Sequence, residues 1–293
     1  MSKPRARTTI ARVAALALLA VGATACDLVA PEGPAPLRYR DATFTQVTKT
    51  ADITYAQVVD RQGETQTLKF DLYEPTGDTL ARRPLIIWIH GGSFAFGSRT
   101  SPEIVDEANT FAKKGYINAS ISYRLSEQGC TVIGAECIES IYDAIEDAQG
   151  AVRFFRRYAA RYGIDVNRIA VAGTSAGAIT ALNVGYATTV PEPSGPAGYS
   201  TRVNAAVSLS GAVIFTGSVS PGDAPALLFH GTADRLVPYS WAQATIDNAK
   251  ADRLKAFLVR WEGDGHVPYI EHRSQILDLT TNFLYSTLNL ADA

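Results

Sequence analysis

The chain has 293 residues, 46% of them hydrophobic and 19% charged, which suits one large α/β domain. Its formal charge of −2, with no aromatics interleaved among Lys and Arg, argues against nucleic acid as a partner, which would call for a concentrated basic surface. Four histidines and three cysteines, with no histidine close to a cysteine pair, point to no metal site, and no cofactor is expected.

Lys3, Arg5, Arg7 and Arg12 precede the apolar run Val13 to Val21, which is too short to span a bilayer. The small residues Gly22-Ala23-Thr24-Ala25 follow, so residues 1–25 read as a signal peptide. The order ending in Cys26 resembles a bacterial lipoprotein signal, which implies a lipidated Cys26 holding the protein to a membrane outside the cytoplasm. Cleavage after Ala25 without lipidation gives a freely secreted protein instead. Residues 26–40, with Pro31, Gly33, Pro34 and Pro36, read as an extended spacer, and 41–293 as the folded domain.

Asp52 to Asp60 and Thr65 to Tyr73 form two strands joined in hairpin fashion by Arg61-Gln62-Gly63-Glu64, the second alternating Leu68, Phe70 and Leu72 with polar neighbours. Pro84 to Ile89 is continuously apolar, as a central strand covered on both faces must be. It runs into His90-Gly91-Gly92-Ser93-Phe94. A helix over Glu103 to Lys114 and a strand over Tyr116 to Tyr123 come next. Cys130 and Cys137 then fall in a loop-like stretch; in an oxidising compartment they pair, and two free thiols are the alternative. Glu139 to Tyr162 has acids early and Arg153, Arg156, Arg157 and Arg161 late, the charge order of a long helix, closed by Gly163.

Ile169 to Ala172 is a strand entering Gly173-Thr174-Ser175-Ala176-Gly177, and Ala178 to Tyr186 continues as a helix. In such a strand–turn–helix the serine sits on a strained corner with its hydroxyl exposed at the carboxyl edge of the sheet. Strands over Val203 to Leu209, Ala226 to Phe229 and Ala256 to Trp261, with helices over Ser240 to Asp252 and Tyr269 to Leu288, complete an α/β alternation with a mostly parallel sheet. The link Ser210 to Pro225 is too short for a cap domain, so an open cleft is expected.

A serine hydroxyl needs a base in reach and an acid that orients the base. Of His90, His230, His266 and His272, the first two precede glycine at strand ends and suit loop bracing, and the last falls on a solvated helix face. His266, on the Gly-rich loop between the last strand and last helix, is the expected base. Asp234 follows a strand end and is the expected acid; Asp264 is too near His266 in sequence and Asp223 lies at the wrong edge. The order Ser175, Asp234, His266 is that of the α/β-hydrolase triad. Ala176 N–H and the loop Gly91-Gly92-Ser93 are the expected oxyanion donors. Phe94 and Trp241 are candidates to line the substrate site, with Phe96, Leu125, Val213 and Phe215 behind them.

Asp71-Leu72-Tyr73-Glu74-Pro75, His90-Gly91-Gly92-Ser93-Phe94, Gly173-Thr174-Ser175-Ala176-Gly177, His230-Gly231-Thr232-Ala233-Asp234 and Gly265-His266 resemble α/β-hydrolase carboxylesterases of the His-Gly-Gly-Gly type. The resemblance implies oxyanion donors at Gly92 and Ser93, with serine in place of the third glycine, and a carboxylesterase acting through an acyl-enzyme; the missing cap together with the export signal points to short-chain or bulky, polymer-borne acyl esters as substrates. The alternatives are a serine peptidase of the prolyl-oligopeptidase-like type and a non-catalytic binding lipoprotein on a hydrolase scaffold.

Overall fold

The structure is a computed structural model that describes residues 28–130, 132–190, 194–215 and 219–293; the expected signal peptide and Cys26 lie outside the described residues. The elements are β1 (Val47–Val59), β2 (Thr65–Pro75), β3 (Arg83–Ile89), α1 (Pro102–Lys113), β4 (Ile117–Ile121), α2 (Ala135–Arg157), α3 (Ala159–Tyr162), β5 (Ile164–Thr174), α4 (Ala176–Gly185), β6 (Ala205–Leu209), β7 (Ala226–Gly231), α5 (Tyr239–Ala251), β8 (Ala256–Trp261) and α6 (Tyr269–Thr287). The sheet order is β1-β2-β4-β3-β5-β6-β7-β8. β1 pairs antiparallel with β2 and β2 with β4, and from β4 onward neighbours are parallel.

The apolar runs of β3 and β5 are split by the pleat between two cores. Leu85, Ile87 and Ile89, with Ile169 and Val171, face α2, α4 and α5. Ile86 and Trp88, with Ala170 and Ala172, face α1 and α6. Burial on both faces explains why these strands are apolar without alternation. α4 is buried at every position, because it lies directly on the sheet behind the turn that launches it. From β3 the chain passes to β4 on one side and later returns to β5 on the other. The crevice at the carboxyl ends of β3 and β5 is therefore the topological switch point, where open α/β sheets bind ligands.

Three expectations are corrected. The Pro-rich segment does not stand off as a spacer: from Leu28 it lies on the body, Leu28 and Tyr39 being buried. Asn282 Nδ2 donates to the Leu28 carbonyl, and Tyr39 packs edge-on to Tyr116 at 5.1 Å. The apolar contacts offset the ordering of the prolines. The long helix begins at Ala135 and breaks at Tyr158, so Cys137 is helical and only Cys130 is on the loop. The Cys130–Cys137 disulfide is formed.

Candidate active site

Ser175 is the corner between β5 and α4, with φ 54° and ψ −117°, a region that costs an L-residue about 1–3 kcal/mol. Its N–H donates to the Leu209 carbonyl of β6 (2.8 Å), which pins the corner to the next strand. Gly177 has no room for a side chain, since a Cβ there would run into the carbonyls of Ile89 and His90. Glycine at 173 and 177 thus lets the first turn of α4 sit against the end of β3.

His266 is carried by the loop after β8 and Asp234 by the turn after β7. Ser175 Oγ lies 2.7 Å from His266 Nε2, and His266 Nδ1 lies 2.7 Å from Asp234 Oδ2. A carboxylate only accepts, so Nδ1 carries the proton and Nε2 is left as acceptor for the serine hydroxyl. Asp234 is buried, and its Oδ1 accepts the N–H groups of Leu236 (2.9 Å) and Val237 (3.0 Å). Burial alone pushes this carboxyl up, but bonds from His230 and His266 outweigh it and hold it well below the usual carboxylate range. Asp234 therefore stays charged and aims the imidazole.

The other histidines have other partners. His230 Nε2 donates to the Val237 carbonyl (2.8 Å) and lies 3.2 Å from Asp234 Oδ2, bracing the acid's turn. His90 stacks on Tyr123 at 4.4 Å, and its Nδ1 donates to the Gly91 carbonyl (2.7 Å). His272 is half-buried and held by partners instead of standing free on a solvated face, which corrects the sequence reading. It stacks on Trp261 at 4.0 Å and reaches Asp264 Oδ2 at 2.5 Å, because the loop after β8 folds back over the first turn of α6. That contact, the Ala233 N–H bond to the Asp264 carbonyl (2.9 Å) and the Val267 N–H bond to Ser210 Oγ (3.0 Å) clamp the loop bearing His266. Ser210, Asp264 and His272 were missed as supports; only the strand-end position of Ser210 hinted at its place.

Burial holds the His90 imidazole down to about 4, against the opposing pull of its bond to the Gly91 carbonyl. The fold favours the neutral ring, so its contribution is complete above the unfolded value near 6.5 and is lost as pH falls toward 4. The expected loss across that window is about 3 kcal/mol. Thermal melts from pH 8 to 4 should show it in the native protein and a shallower slope in His90→Asn. Equal slopes would refute a buried neutral His90.

The loop after β3 meets the corner from the other side. A Cβ at Gly91 would stand 2.9 Å from the Thr174 carbonyl and 3.2 Å from Ser175 Cβ, so glycine permits this approach. The Gly91 carbonyl accepts from His90, and the Gly92 carbonyl from the N–H groups of Ala95 (3.0 Å) and Phe96 (2.9 Å). In a trans peptide the N–H points opposite its carbonyl, so the Gly92 and Ser93 N–H groups face away from these bonds. Ser93 and Phe94 hold φ of 52° and 59°, left-handed values that cost about 1–2 kcal/mol each outside glycine.

Ser93, Ser175 and Ala176 open onto one cavity of ≈ 310 Å³, with walls formed by Phe94, Ile133, Ile179, Ile214, Val237 and Trp241. The disulfide and Arg235 also line it. Phe94 and Trp241 are thus at the pocket, whereas Phe96 is exposed and Phe215 stacks on Tyr142 at 4.7 Å. Ile133, Ile214 and Arg235 were not singled out from the sequence, since nothing local marks a loop residue that a distant turn brings to a cleft. Among the described residues, no group of three His, Cys, Asp or Glu is placed to hold a metal ion.

A family model described as BD-FAE matches residues 70–217, and one described as TAP-like protein matches residues 200–289. Phenmedipham hydrolase of Pseudarthrobacter oxydans is 34% identical over 112 residues, 38% of this chain and 21% of that protein. Gut esterase 1 of Caenorhabditis elegans is 32% identical over 95 residues, 32% of this chain and 17% of that protein. The chain thus spans about a fifth of the length of these relatives. The apo form of Thermogutta terrifontis esterase 2 superposes with a TM-score of 0.69 at 23% identity, covering 80% of this chain and 94% of that one, a likeness of fold. With the first family model covering half of the sequence, from the second strand past the Ser175 corner, the chain belongs to the BD-FAE family and has the α/β-hydrolase fold.

Proposed function

We propose that the protein is a serine carboxylesterase in which Ser175, His266 and Asp234 are the catalytic triad. The observation that carries this reading is the unbroken hydrogen-bond chain from Asp234 through His266 to a strained Ser175 at the mouth of an apolar cavity. Ser175 Oγ attacks the ester carbonyl while His266 Nε2 takes its proton. The developing oxyanion is held by the N–H groups of Gly92, Ser93 and Ala176, each such donor being worth about 3 kcal/mol in reactions of this kind. The alcohol leaves with the proton from His266, and water, activated by the same imidazole, releases the acid. Asp234, charged throughout, stabilises the imidazolium.

The cavity lies at the lower end of the volumes that small-ligand sites occupy, which favours a short acyl group, with a bulky or polymer-borne alcohol remaining outside. Export by residues 1–25 and a lipid anchor at Cys26 belong to the same reading. They would present the site to esters outside the cell.

Nitrophenyl esters from acetate to dodecanoate test it. While the pocket still has room, each added methylene raises kcat/KM by up to about fourfold, the equivalent of about 0.8 kcal/mol. The rise should turn over by hexanoate. A profile climbing through dodecanoate would contradict a short acyl pocket, and cleavage of peptides without esters would make the protein a peptidase.

A further inference from the structure

The oxyanion loop does not hold its shape alone. Ser93 and Phe94 are in left-handed backbone conformations, and their carbonyls are taken by a neighbouring segment, residues 125–130, between β4 and α2. The Cys130 N–H donates to the Ser93 carbonyl (2.9 Å) and the Ser126 N–H to the Phe94 carbonyl (2.8 Å). Gly129 lies so close that a Cβ there would stand 2.5 Å from the Ser93 carbonyl oxygen and 2.7 Å from Ala95 Cβ. This segment has little core of its own: Leu125, Glu127 and Gln128 are exposed. Among the described residues, two ties bind it to α2, the Ser126 Oγ bond to Glu136 Oε1 (3.0 Å) and the Cys130–Cys137 disulfide. Only the disulfide is covalent. α2, in turn, is seated in the core through Ile141, Ala144 and Ile145.

We propose that the Cys130–Cys137 disulfide is a positioning element for the oxyanion donors: it fixes residues 126–130 to α2, and their N–H groups hold the carbonyls of Ser93 and Phe94. This rests on the reading of the protein as a serine esterase. Donors that act on the transition state affect kcat when misplaced and leave substrate binding nearly unchanged. A wall of the cavity, which the disulfide also forms, would affect KM instead.

The folded protein is treated with a phosphine, which converts the disulfide to two thiols and becomes the phosphine oxide, water supplying the oxygen and both protons. Turnover of nitrophenyl acetate, the smallest acyl group, is then measured, with circular dichroism to verify the fold. The expected result is a kcat lower by about 10- to 100-fold, with KM changed less than twofold. Oxidised glutathione, which accepts the two electrons and two protons as two glutathione thiols, should restore kcat. The double variant Cys130→Ser/Cys137→Ser should show the low kcat without reductant and ignore the phosphine. An unchanged kcat, or a change in KM alone, would overturn the proposal.

Hydrogen exchange of the amides of Ser126 and Cys130 separates this from the esterase reading. Reduction should speed their exchange at least tenfold. Protection that survives reduction would sink the positioning role whatever the activity, whereas faster exchange in a protein that turns over no ester would leave the coupling standing and the esterase reading refuted.

Discussion

Ser175→Ala is expected to lower kcat on nitrophenyl butyrate by about 10⁵- to 10⁶-fold, leaving only what the oxyanion donors and binding supply. No other hydroxyl takes part in a hydrogen bond with His266 among the described residues, so nothing replaces the lost nucleophile. The fold should persist, because alanine keeps the Cβ and the N–H bond to Leu209 while inheriting the same strained φ. Ser175→Gly supplies the contrast. Glycine relieves the strain at some entropic cost, so this variant should be equally inactive and more stable by about 1 kcal/mol, read as a higher Tm. A Ser175→Ala protein retaining a tenth of the native rate would remove the serine from the chemistry.

Asp234→Asn tests the orienting acid without emptying its site. The amide oxygen can still accept the N–H groups of Leu236 and Val237 from the position of Oδ1, so these two bonds of the turn after β7 are kept and only the His230 contact to Oδ2 is lost. The amide nitrogen replaces Oδ2 and presents a hydrogen to His266 Nδ1, which must then become the acceptor. The ring proton moves to Nε2 and faces Ser175 Oγ, so the base holds its proton on the wrong side. A fall in kcat of about 10⁴-fold is expected with KM nearly constant. Asp234→Ala should lose stability as well, because both backbone N–H groups lose their acceptor. If the asparagine variant keeps its rate, Asp234 is a structural brace for the turn and not the partner of the base.

The inner strands of the sheet were legible because they are apolar runs bounded by glycine, proline and acid, whereas β1, mostly exposed and polar, begins at Val47, five residues before the expected Asp52. The Ala256 to Trp261 strand agrees to the residue. The gathering of Ser175, Asp234 and His266 was legible because only four histidines exist and chain order restricts which strand ends can meet. What the sequence concealed depends on contacts between loops. His272 looks like a helix-surface residue until the fold-back of residues 262–266 brings Asp264 and Trp261 to it. The docking of Cys130 and Ser126 on the oxyanion loop leaves no local trace either, since backbone N–H groups carry no residue identity. Leu28 and Tyr39 were hidden by the prolines between them, whose composition suits an extended linker whether or not it finds a surface.

From β5 onward each new strand is laid beside the one before it, ending at β8 on the rim of the sheet. Ser175 is therefore made 91 residues before His266, and Asp234 32 residues before it. A ribosome-bound or partly refolded chain that has completed β5 and α4 displays the serine corner but does not yet have His266 beside it. If the proposed triad carries the chemistry, activity arises only when the outermost strand has docked and its following loop has closed over the edge. In a refolding experiment, ester turnover would appear with the last phase of sheet assembly, while helical signal from α2 and α4 would appear earlier.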